Sequence, residues 1–239
     1  MLTKLPEDWQ QGRIEHSATL EFYQELASHS PEEIGRFAVD LLADGIHPQV
    51  LWDAVFMAVA QLIMSQSSIV MLHATTTVNA LNFAYRQAKR GDTRAFLLLQ
   101  GLSFATMFRN LLRGRERSIR FDTFEPVAPD DRQPLEEIFF DISENRVRAA
   151  SKVLHYLNNG GSVDQFMRVA RSLIVNMNSG SHDYKFAEAA FENYQHISTK
   201  WRNRYLSASA FYLNGSEDKP NPVVADFKEL LQWSDERHR

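Results

Sequence analysis

The chain has 239 residues, of which 44% are hydrophobic and 23% charged, with a formal net charge of −4 and no cysteine. A chain of that length can bury a core without disulfide staples. The missing thiols exclude disulfides, Cys-ligated zinc, iron–sulfur clusters and thiol catalysis within these residues. The acidic balance argues against a nucleic-acid partner, because phosphate binding needs a basic face.

In chain order, the opening segment MLTKLPEDWQQGRIEH lacks the apolar core of a secretory signal, so a cytoplasmic location is expected. A first helix is predicted over 16–29. Ser30-Pro31-Glu32-Glu33 then starts a second, with Ser30 as cap, Pro31 at the first helical position and Glu33 closing a capping box. That helix should run to Gly45. His47-Pro48 opens the next, whose Val50, Leu51, Ala54, Val55, Ala58 and Leu62 recur at helical steps. This is also the longest apolar stretch. Asp53 and Gln61 interrupt it, and it falls short of the roughly 20 apolar residues a membrane span needs, so no membrane partner is expected.

Helices follow over 71–89 and 93–113. The basic run Arg113–Arg120 reads as a solvated helix end and a loop. Residues 122–134, with three prolines and no helical pattern, read as a linker. Beyond it come helices over 143–158, from a second capping box at Ser162 to about Asn176, and over 182–213 with a break admitted near 196–199. A last short helix is predicted over 222–233. Strand signals are weak, since no Asn-Gly turn joins two alternating runs. The expectation is an all-α globular fold of about 8–10 helices. Residues 1–121 form an N-terminal half, 122–134 the linker and 135–239 a C-terminal half, together one compact domain.

The two halves resemble each other. Met57-Ala-Val-Ala60 leads, after sixteen residues, to His73; Met167-Arg-Val-Ala170 leads, after fifteen, to His182. Each histidine has Ala seven residues on and Tyr twelve residues on. An internal duplication accounts for this, with the halves as pseudo-repeats. Helices sharing small-residue packing would give the same pattern by chance.

His73 and His182 each fall near a predicted helix N-terminus, which disfavours the imidazolium and leaves a ring nitrogen able to bind a metal. Lys185 lies three residues after His182, on about the same helix face. A protonated lysine cannot ligate a metal, and a surface pair is the plain alternative. His16 opens the first helix, and His155 lies among apolar neighbours; capping or core roles suit each of them as well. There is no P-loop, GxGxxG, HExxH or GxSxG, and the paired ExxH motifs of di-iron bundles are missing.

Leu72-His73-Ala74-Thr75-Thr76 with Asn79-Ala80-Leu81, His182-Asp-Tyr-Lys185-Phe-Ala-Glu-Ala189, and Arg204-Tyr205-Leu206-Ser207-Ala208-Ser209 resemble segments of questin oxidase-like proteins. His16 is similar to a histidine in that family's first helix. The resemblance implies an all-helical fold and a non-haem Fe(II) held by several histidines and a carboxylated lysine. Fungal members cleave anthraquinone rings oxidatively. Carried over, the metal positions are His73, His182 and Lys185, with His16 and His155 weaker. A carbamate on Lys185 would replace a repelling cation by an anionic oxygen ligand. The chain is much shorter than those proteins, and their fourth histidine has no match unless it is His155.

The expected function is thus an iron-dependent oxygenase acting on an aromatic or polyketide-type small molecule. Its pocket would lie between the halves, walled by Phe83, Phe104, Phe108 and Phe186. The alternative is a non-catalytic helical module that binds a ligand or another protein. A homo-oligomer is plausible for a half-length member of such a family.

Overall fold

The computed structural model describes residues 4–112, 117–130, 133–177, 180–224 and 226–227. The fold is all-α. Along the chain run α1 (His16–Leu26), α2 (Pro31–Ala43), α3 (Pro48–Ser65), α4 (Ile69–Gln87), α5 (Gly91–Arg109), α6 (Pro134–Glu144), α7 (Arg146–Asn158), α8 (Val163–Met177), α9 (Ser181–His196) and α10 (Thr199–Ala208). Among the described residues the β structure is one isolated bridge, Arg13 to Ile46. Two compact units divide these elements. One is Met1–Phe124 with Ala189–Ala208; the other is Glu125–Glu188 with Ser209–Arg239.

In the first unit α3 is the centre, and α1, α4, α5 and α10 all pack on it. This explains its composition, since a helix apolar on all sides must be buried on all sides. Val50, Leu51, Ala54, Val55, Phe56 and Met57 are fully buried. By length and composition alone α3 could cross a membrane, yet 83% of it is buried within the protein. Trp52 packs against Phe56 and Tyr85 at ring-centroid distances of 6.1 and 5.3 Å. Gly101 of α5 lies over that indole so closely that a Cβ would come within 3.2 Å.

Capping follows the sequence. The Ser30 and Glu33 groups exchange the two bonds of a capping box. His47 Nδ1 accepts the Gln49 N–H at 3.0 Å and caps α3 ahead of Pro48. Gly45, at φ +81°, ends α2 in the left-handed conformation that glycine adopts without strain. The later turns of α9 join this unit through amide bonds. Asn79 Nδ2 donates to Glu192 Oε2 (3.0 Å) and Asn193 Oδ1 (3.1 Å), and Asn193 Nδ2 donates to the buried Tyr205 hydroxyl (2.9 Å). Arg204 donates to the carbonyls of Phe121 and Phe124, so the first residues of the expected linker are held here.

The second unit departs from expectation at its start. The helix predicted over 143–158 is α7, and α6, which was not predicted, precedes it; the two are separated at Asn145 (φ −152°, ψ 90°). Asn145 leaves helical space because its side chain caps the new helix, accepting the Arg148 N–H at 3.1 Å. Pro134, read as the last linker residue, is the first residue of α6, where a missing N–H costs nothing. Phe139 of α6 stacks on Phe166 of α8 at 5.3 Å, both fully buried. Ser162 accepts the Gln165 N–H, starting α8 as predicted. The stretch 182–213 divides at 196–199 into α9 and α10, then closes in a 3-10 turn, Ser209–Phe211. Of the helix predicted over 222–233, residues 222–224 and 226–227 are helical, and the rest lies outside the described residues.

Candidate functional site

The five predicted metal positions fall as follows. In the first unit, His16 opens α1, is exposed, and meets Trp201 edge-on at 6.4 Å. His73 is also exposed. It stands in the second turn of α4, because Ser68 caps that helix at the Met71 N–H, earlier than predicted. In the second unit, His155 is half-buried in the last turn of α7. His182 is half-buried and Lys185 exposed, both in the opening turns of α9. His73 and His182 thus occupy different turns of their helices. Among the described residues, no group of three or more His, Asp or Glu side chains is placed to hold a metal ion. Of the expected pocket walls, Phe83 is exposed, Phe104 packs on Phe108, and Phe186 is buried against Tyr212 at 4.8 Å.

A cavity of about 460 Å³ opens elsewhere, wholly within the first unit, between α1, α3 and α5. Its apolar surface comes from Leu26, Ala58, Leu62 and Ala105. Small residues at 58 and 105 leave the space that larger side chains would fill. The polar wall is built from Gln61. Its Oε1 accepts the Tyr23 hydroxyl (3.1 Å) and the Phe121 N–H (2.7 Å), while its Nε2 donates to Ser65 Oγ (2.8 Å) and the Ile119 carbonyl (3.0 Å). Gln61 therefore clamps residues 119–121 across the end of α3. The Arg117 N–H adds a bond to the Ser65 carbonyl at 3.0 Å. Burial, with Asp122 nearby, pushes the Tyr23 phenol well above its ordinary pKa, so it stays a neutral donor.

Two arginines also line the cavity. Arg120 is bound bidentately by Asp122, at 3.0 and 2.7 Å, and its charge is largely answered. Arg109, the last residue of α5, donates to the Leu26 carbonyl at 2.7 Å and to Asn110 Oδ1 from two nitrogens, at 3.2 and 3.0 Å. No carboxylate lies within ion-pair distance of it among the described residues, and burial pulls its pKa below the usual guanidinium value. None of the described residues lining the cavity is acidic.

No protein-family model, no curated protein and no solved structure matches this chain. The functional reading therefore rests on its own residues.

Sequence reasoning marked Gln61 as an interruption of an apolar run without assigning it work, and it missed Tyr23, Arg109 and Arg120. A signal existed. A glutamine inside a buried helix must find partners for its amide, and here those partners build a wall. Arg120 belongs to the run read as a solvated loop, but its guanidinium folds back onto Asp122, whose side chain is 7% exposed.

A second cavity, of about 590 Å³, lies within the second unit against Phe139, Phe140, Val169 and Leu173, with Glu136, Glu137 and Glu217 at its edge. Glu137 is engaged by Lys152, which also reaches Asp141 at 2.8 Å; Lys152 is 4% exposed. Arg148 adds a bond to Asp141 at 2.8 Å. This cluster answers its own charges and reads as structural.

Proposed function

We propose that this chain is a helical ligand-binding module that takes a small amphipathic molecule into the cavity between α1, α3 and α5. The observation that supports this reading is the cavity itself. It lies in the size range of small-molecule pockets, with apolar walls and a few fixed polar groups at one side. Gln61 and Tyr23 spend their hydrogen bonds on each other and on the backbone, so they fix the shape of the wall. Among the described residues no nucleophile with an adjacent base lines the cavity, and binding is the role these side chains suit.

The test is a titration with N-phenylnaphthylamine, a neutral dye that brightens in apolar surroundings, using wild type beside Ala58→Phe. The phenyl ring would occupy the cavity from α3. Saturable binding in the wild type, weakened at least about tenfold in a folded variant, is the expected result; each tenfold corresponds to about 1.4 kcal/mol. Equal binding to both proteins would remove the cavity as the site.

The His182–Lys185 pair on α9 underlies a second proposal, the iron-dependent oxygenase. It has its own test, the iron content after anaerobic loading of wild type and His182→Ala. Iron near one per chain, lost in the variant, would support it, and equal content in both would end it.

A further inference from the structure

We infer that the ligand of the α1–α3–α5 cavity is an anionic amphiphile, an apolar body ending in a single oxyanion that pairs with Arg109. The inference rests on the proposal that this cavity is a ligand site. Arg109 is fixed before any ligand arrives. Three of the five guanidinium N–H groups are spent on Leu26 and Asn110, leaving one on each terminal nitrogen. Those two remaining donors form a fork that matches the two oxygens of a carboxylate.

Its charge is answered only in part. Arg109 sits at the C-terminal ends of α5 and α1, where the helix dipoles favour a cation, and this lets a half-buried guanidinium persist without a carboxylate partner. Partial charges at two helix ends do not replace a full anion at hydrogen-bond distance. Among the described residues the cavity wall has no acidic side chain, while its other cation, Arg120, already holds Asp122. The arrangement thus selects by charge. An apolar tail gains from Ala58, Leu62 and Ala105, an anionic head gains from Arg109, and a cationic head would meet two arginines.

The experiment is calorimetric titration below micellar concentrations with decanoate, decyl sulfate, decanol and decyltrimethylammonium. Wild type is compared with Arg109→Gln and Arg109→Lys. The expected result is that decanoate binds about tenfold more tightly than decanol, the size of one charge-assisted hydrogen bond. Decyltrimethylammonium binds least. Arg109→Gln should abolish the preference, weakening decanoate about tenfold more than decanol, and Arg109→Lys should keep part of it. Decyl sulfate separates the heads. A fork built for carboxylate ranks it below decanoate, and equal affinities mean that charge alone is read.

Equal binding of decanoate and decanol by the wild type would overturn the inference without any variant, and would leave the cavity reading standing. Equal weakening of both by Arg109→Gln would make Arg109 a structural tie between α5 and α1. Failure of all four probes alongside N-phenylnaphthylamine would instead sink the cavity as a ligand site.

Discussion

Asp53 in the first unit and Asp141 in the second are both almost wholly buried, 0% and 1% exposed, yet their surroundings pull them in opposite directions. Asp53 is met by neutral groups. Its Oδ1 accepts the Gln49 amide at 2.7 Å and the Ser198 N–H at 3.0 Å, and its buried Oδ2 has no hydrogen-bond partner among the described residues. Burial raises its pKa, and the bonds from Ser198 and Gln49, with the field of His16, offset this only in part. At Asp141 burial pushes the same way, but the hydrogen bonds and charges of Arg148 and Lys152 outweigh it, and the pKa falls. Dipoles can hold a buried carboxyl in place, whereas cations hold it ionised.

The comparison can be broken most sharply in the second unit. Lys152→Met removes the ammonium that Glu137 and Asp141 share. Removing one member of a buried charged cluster costs about 3 kcal/mol, and denaturant unfolding should show it as a lower midpoint with little change in slope. In the first unit, Asp53→Ala strands two neutral donors, the Ser198 N–H and the Gln49 amide. The expected loss is smaller, about 2 kcal/mol. A larger loss at Asp53 than at Lys152 would reverse the account.

The smallest effect carries the sign. The folded-state pKa of Asp53 lies above its unfolded value, so its contribution is fully present below the unfolded carboxyl range and is lost as pH rises through the folded value. That of Asp141 lies below, so its contribution is present above the unfolded range and is lost as pH falls through the folded value. Asp53→Asn should therefore gain stability relative to wild type as pH rises from the unfolded carboxyl range through the folded value of Asp53, and the penalty of Asp141→Asn should shrink as pH falls from that range through the folded value of Asp141. Thermal melts across that range read both directions. Parallel curves for either variant and the wild type would contradict the assignment at that residue.

The same contrast shows what the sequence makes legible. The helices of the first unit were readable because their signals are local. Ser30 with Glu33, His47 with Pro48, and the periodic apolar residues of α3 each act within one or two turns. Helix α6 was not readable, because it starts at the end of a proline-rich stretch and its core residue Phe139 is held by Phe166 of α8, further along the chain. The cavity was hidden for the same reason. Gln61 and Ile119 are 58 residues apart, and Arg109 and Leu26 are 83 apart. Histidines drew attention by residue type, whereas the groups that build the cavity wall are a glutamine, a tyrosine and an arginine, whose meaning depends on what lies opposite them.

The α1–α3–α5 cavity is proposed to bind an anionic amphiphile head-first on Arg109. An experimental structure of the protein with decanoate bound tests it most directly. The predicted result places the carboxylate on the two open N–H groups of Arg109, with the chain against Ala58, Leu62 and Ala105. A carboxylate bound away from Arg109, or decanoate seated in the cavity beside Phe139 and Leu173, would contradict it.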